Sequence, residues 1–113
     1  MQPNGCLTSN FMESVFMAVA DPTRRSMLTR MRVEGPLSIK QLAAPLSISR
    51  QAVTKHLDIL HACGLVRVRR AGRGRLHCLA SSPLKEVENW LEPYAREWDE
   101  RLSRLQRHLE RQP

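Results

Sequence analysis

Four side chains in one short stretch have the types that read the edges of nucleic-acid bases: Arg50, Gln51, Thr54 and Lys55. Gln can bond adenine through two groups at once, Arg does the same for guanine, and Thr offers both a hydroxyl and a methyl. Ser49 stands immediately before them as a helix cap, so free backbone N–H groups and the positive end of a helix dipole add a place for a phosphate. Ser38, which caps the preceding helix, is counted with this group. A second cluster, Arg70, Arg73 and Arg75, surrounds the glycine-rich turn Ala71–Gly74 and has the form of a tip that enters a minor groove or tracks phosphates. The plainer alternative is that these arginines keep an exposed hairpin edge soluble.

The distribution of charge agrees with the first reading. Between Pro22 and Ser82 lie twelve Lys/Arg against two acids, Glu34 and Asp58, a net of +10. Pro83 to Pro113 carries six basic and seven acidic residues, a net of −1. A cationic middle beside a balanced tail is the footprint of a nucleic-acid-binding region joined to an assembly region.

Other chemistries lack their residues. No cysteine lies in Ile39 to Leu46, and the last helical segment has a single histidine, His108. A closed zinc site needs about four converging N/S ligands, which these spacings do not assemble. His77 and Cys78 are adjacent on a strand and point to opposite faces. No metal and no cofactor is therefore expected. Cys63 and Cys78 read as small buried hydrophobes, with a thiol switch as the alternative. Nothing brings a nucleophile, base and orienting group together, and Gly72-Arg73-Gly74 is too short for a phosphate loop, so no enzyme is expected. Three cysteines make no disulfide framework, no segment approaches a membrane span, and the N-terminus lacks a secretory pattern; the cytoplasm is the expected compartment, without membrane attachment.

The elements that must hold these side chains follow from periodicity and punctuation. The 113 residues fit one domain, with 1–8 expected to be frayed. A first helix starts at Ser9 or Asn10 and carries Phe11, Val15, Phe16 and Val19 to about Ala20. Asp21-Pro22 caps a second helix through Met27, Leu28 and Met31, and Gly35-Pro36 ends it. Ser38, with Gln41 in capping-box register, opens a short third helix carrying Ile39, Leu42, Ala43 and Leu46. After Ser47-Ile48-Ser49, a fourth runs to about Cys63 with the stripe Val53, Leu57, Leu60, and Gly64 stops it. Leu65–Arg70 and Arg75–Leu79 alternate as two half-buried strands of a hairpin.

Ser82-Pro83 opens a last helix, expected over 83–111 and serving dimerisation. Its stripe of Leu84, Val87, Leu91, Tyr94, Trp98, Leu102, Leu105 and Leu109 suits a coiled-coil-like seam. Pro93 removes one backbone hydrogen bond, so a kink or local break is expected there. The fold class is mainly α with a small β-hairpin: four helices, two strands and a last helix, a helix-turn-helix followed by a wing. In that motif the second helix enters the major groove.

The blocks Ala20-Asp21-Pro22-Thr23-Arg24-Arg25, Leu37-Ser38-Ile39-Lys40-Gln41-Leu42-Ala43 and Ser47 to Leu60, followed by Gly64-Leu65-Val66, resemble the arsenic-repressor (ArsR) family of winged-helix regulators. The resemblance covers about Phe11 to Leu109. It implies a homodimer formed by the first and last helices, binding to an operator in double-stranded DNA, and repression, often of the protein's own operon and usually relieved by an effector. The residues do not identify that effector. The Trp90-Leu91…Tyr94…Trp98 pattern looks like a subgroup without an obvious metal site. The dimer surface expected from this pattern comprises Phe11, Val15, Phe16, Leu91, Tyr94, Trp98 and Leu102. Two alternatives stay open: a metal- or redox-responsive sensor of the same fold, and a protein-interaction module docking through the tryptophan stripe.

Overall fold

The computed structural model describes residues 3–111, with side chains from residue 11 onward. Its elements run α1 (Pro3–Ala20), α2 (Pro22–Glu34), α3 (Ile39–Ala43), α4 (Arg50–Ala62), β1 (Val66–Ala71), β2 (Gly74–Leu79) and α5 (Ser82–Arg111). The order is the expected one, and the punctuation explains why. Asp21 is extended and its carboxylate accepts from Arg24 N at 2.9 Å, with proline at the start of α2. Ser38 and Gln41 form the full reciprocal capping box, at 3.1 and 2.8 Å. Ser49 Oγ accepts from Ala52 N at 3.1 Å. Gly64, at φ 81°, turns the chain out of α4 where a side chain would be strained.

One core holds the layers together. Val15 and Ala18 of α1, Met27, Leu28 and Met31 of α2, and Leu42 of α3 pack on the inner stripe Val53, Leu57, Leu60 of α4. Cys63, Leu65 and Val66 close the cluster at the root of the hairpin. The α4 stripe recurs every three or four residues, so burying it leaves the opposite side of the helix in water.

Three expectations need correction, and a fourth lies outside the described side chains. The helix α1 begins at Pro3, ahead of the Ser9 or Asn10 cap; proline is well suited to a first helical position. The expectation of fraying at 1–8 falls on residues whose side chains lie outside the described ones. In the hairpin only Val66 of β1 is buried, and Val68 is 43% exposed, because β1 runs out past the core that would have covered it. Finally, α5 passes through Pro93 without a break. Proline removes one N–H, and the surrounding turns are exposed, so water can satisfy the carbonyl left behind.

A contact without local sequence signal braces the wing. Leu37, just before α3, forms an isolated antiparallel bridge with His77 of β2. Leu37 N donates to His77 O at 3.0 Å and His77 N to Leu37 O at 2.7 Å. The His77 ring, 6% exposed, adds an Nδ1–H donation to Leu37 O at 3.3 Å.

Candidate nucleic-acid interface

Ser49 to Lys55 forms the leading end of α4, and its outward side chains Arg50, Gln51, Thr54 and Lys55 are all exposed. Together with Ile39 and Lys40 of α3 they line one open groove between the two helices. This is the geometry in which a second helix lies in a major groove while the first meets the backbone. Local bonding sorts what each group has left to offer. Thr54 Oγ1 donates to Arg50 O at 2.9 Å, so its hydroxyl proton is used inside the helix and its acceptor lone pairs and methyl face outward. Ser38 and Ser49 accept from backbone N–H groups, which leaves each hydroxyl proton free for a phosphate oxygen.

The hairpin register sets the second cluster. Arg70 of β1 is the direct partner of Arg75 of β2. Directly opposed residues share a face, so the two guanidiniums project side by side, on the same face as Val68 and His77. That face meets α4 in a cleft lined by Thr54, Leu57, Asp58, His61, Val68, Arg75 and His77. Two like charges opposed on a strand pair repel. An anion between them would remove that cost. Arg73 stands at the tip, beside Gly72 at φ 61° in a two-residue turn. Positive φ at the first turn residue alone is the type II′ pattern, and it suits glycine there. Burial holds the His77 imidazole below the usual histidine range, aided by the nearby Arg75 and His61 charges and opposed by its bond to Leu37.

Three of the twelve basic residues counted in the cationic middle are directed elsewhere. Arg24 donates to Ala18 O at 2.7 Å, Met17 O at 3.1 Å and His56 Nδ1 at 3.2 Å. Arg25 donates to Val19 O at 2.7 Å and Ala20 O at 2.9 Å. Arg30 donates to Gln41 O at 2.8 Å and pairs with Glu34 at 2.9 Å. Carbonyls at a helix end have no partner within the helix. These arginines supply one at the ends of α1 and α3. Sequence reading missed the role, since the signal is only an arginine placed just after a helix terminus.

The expected dimer surface divides. Phe11 and Phe16 are half-exposed, and Leu91, Tyr94, Trp98 and Leu102 form an exposed apolar row on α5, with Tyr94 at 58% and Trp98 at 60%. Val15 does not belong with them. It is fully buried inside the protomer, because it lies about 100° around α1 from its neighbour Phe16, on the side that faces the core. Phe16 instead meets Trp90 edge-on at 5.7 Å, and Trp90 leans on Tyr94 at 5.2 Å. Cys63 is buried and its Sγ–H donates to Leu60 O at 3.4 Å; Cys78 is half-buried. Among the described residues no cluster of His, Cys, Asp or Glu has a metal-holding arrangement, and no helix is long and apolar enough to cross a membrane.

Helix, turn, recognition helix and basic hairpin, braced as above, define a winged helix-turn-helix of the DNA-binding regulator class. Comparison with known proteins agrees. A family model described as a helix-turn-helix domain matches residues 19–69. The HTH-type transcriptional regulator YuzN of Bacillus subtilis is 34% identical over 87 residues, covering 71% of this chain and 95% of that protein. The transcriptional repressor SdpR of the same organism is 30% identical over 80 residues, covering 71% and 88%. An ArsR-like transcriptional regulator from Rhodococcus sp. RHA1 superposes with a TM-score of 0.69 at 38% identity, over 88% of this chain and 93% of that one. The chain belongs to the ArsR family of winged helix-turn-helix transcriptional regulators, and it is a DNA-binding regulator of transcription.

Proposed function

We propose that the chain works as a homodimeric repressor on a near-palindromic operator. The observation that carries this reading is the continuous exposed surface of Arg50, Gln51, Thr54 and Lys55 beside the opposed pair Arg70 and Arg75. Gln51 and Arg50 read base edges, Thr54 contacts a base through its methyl and acceptor, and Lys55, Ser38 and Ser49 fix the phosphate backbone. Arg70, Arg73 and Arg75 hold the flanking phosphates or groove. Phe11, Phe16, Leu91, Tyr94, Trp98 and Leu102 join two copies, which sets the recognition helices about 34 Å apart, one turn of the duplex. Occupying a promoter in this way blocks polymerase, and SdpR is named a repressor. The exposed α5 row supports the dimer: among the described residues nothing covers it.

A mobility-shift titration against the chain's own upstream region and against random DNA tests the reading. Preference for the former and a steep fall in affinity with salt are expected. Equal binding to both, or affinity independent of salt, would refute it.

A further inference from the structure

A separate groove of about 270 Å³ lies away from the recognition surface, where α1, α2, β2 and α5 meet. Val19, Leu28, Leu79 and Leu84, one from each of those elements, give it an apolar lining. Its polar side chains all come from α2. Arg25, Thr29 and Arg32 follow one another at spacings of four and three residues, so they form a single stripe along one edge. No acid lines the groove. Arg25 Nη1 donates to Val19 O and Ala20 O, which pins that guanidinium and leaves its Nε and Nη2 uncommitted. Arg32 is exposed and makes no side-chain hydrogen bond or ion pair among the described residues.

We propose that this groove binds a short-chain monocarboxylate, with the tail on the four apolar side chains and the carboxylate on Arg32 and Thr29. A cleft with apolar walls and charges of one sign focuses its potential and gathers the counter-ion. Two cations without an acid select an anion. The apolar lining selects one with a hydrocarbon part, since phosphate or sulfate would gain nothing from it. The planar fork of a guanidinium matches the two oxygens of a carboxylate, and Thr29, one turn from both arginines, adds a hydroxyl donor. Arg25, already pinned at the end of α1, adds positive potential without having to move. At about 30 Å³ per atom the groove holds about nine non-hydrogen atoms, which limits the acid to about six or seven carbons. The plainer role for these arginines is to lay their stems over apolar surface with the heads in water, and that role needs no ligand. None of the lining residues belongs to the proposed recognition surface or to the exposed row Leu91, Tyr94, Trp98 and Leu102. The site therefore goes beyond the repressor reading and stands or falls separately from it.

Amide NMR of the full chain titrated with hexanoate tests the site, with acetate (the head alone) and hexanamide (the tail with an uncharged head) as comparison probes. Hexanoate should move the signals of Thr29, Leu79 and Leu84 to saturation. Hexanamide loses the charge-assisted bond and acetate the buried methylenes, so each should bind at least about tenfold more weakly. Arg32→Gln keeps most of the stem and drops the charge, and should weaken hexanoate about tenfold with the rest of the spectrum unchanged. Arg104→Gln, which removes an exposed charge outside the groove, should leave hexanoate binding as it is. Signals moving instead in residues 50–55 or 70–75, acetate or hexanamide binding as well as hexanoate, or the two variants losing affinity alike would each overturn the assignment. The readout is local to the groove, so a chain that failed to dimerise or to prefer its own upstream region would refute the repressor reading and leave this site standing.

Discussion

Replacing Arg24 with alanine separates structural cations from those that meet DNA. Its guanidinium bonds the last carbonyls of α1 at 2.7 and 3.1 Å and His56 of the recognition helix at 3.2 Å, so it ties three helices at one point. A hydrogen bond from a charged donor contributes about 1.5–3 kcal/mol, but three from one partly exposed head do not add, so the whole is about 2–3 kcal/mol. For a domain of this size that corresponds to a fall of about 10 °C in melting temperature. Calorimetry or circular dichroism measures it. Arg32→Ala is the control, since Arg32 is exposed on the same helix and makes no side-chain hydrogen bond or ion pair among the described residues, and it should stay within about 0.5 kcal/mol of wild type. Below its melting range Arg24→Ala should keep the native salt slope of DNA binding. Native thermal stability, or a slope reduced by about one phosphate contact, would refute the argument.

Gln51→Ala should relax base preference at one operator position, read by binding to a panel of single-base variants. Arg73→Ala should weaken all sequences about equally and flatten the salt slope by about one. Ser49→Ala removes the cap on Ala52 N and should cost about 1 kcal/mol in urea unfolding, with operator affinity falling as the first turn of α4 frays. His77 resists protonation when folded and accepts a proton near 6.5 when unfolded, so its contribution is complete above that pH and is lost as the pH falls below it toward the lowered folded value. Stability should thus drop by up to about 1.4 kcal/mol per pH unit on acidification below 6.5, a slope that His77→Gln removes.

Local signals carried most of the architecture. Asp21-Pro22, Ser38 with Gln41, Ser49 and Gly64 act through bonds spanning a few residues, and the structure forms each one. The exposure of the proposed recognition residues was legible for the same reason: once Val53, Leu57 and Leu60 face inward, Arg50, Gln51, Thr54 and Lys55 must face out. The failures involve partners distant in sequence. The Leu37–His77 bridge joins residues 40 apart, and nothing in either neighbourhood announces it. Val15 and Phe16 are both apolar on one helix; only the position of α4 and α5 decides which is buried. Pro93 obeys its usual rule in losing a bond, but an exposed helix tolerates that loss.

The same distinction changes what net charge means here. Arg24, Arg25 and Arg30 enlarge the cationic total of the middle region, yet their donors go to carbonyls at helix ends and, in addition, to His56 for Arg24 and to Glu34 for Arg30. The charge available to a phosphate is concentrated on Lys40, the leading turns of α4 and the hairpin. On the hairpin it is divided again by strand alternation: Arg70 and Arg75 share the face that meets α4, whereas Arg67 pairs with Cys78 and Arg69 with Leu76 on the opposite face. The salt dependence of operator binding should therefore follow Arg70 and Arg75 more closely than Arg67 and Arg69, although all four are exposed. Equal losses from alanine at the two pairs would mean that DNA wraps both faces of the wing, and the register-based assignment would have to be abandoned.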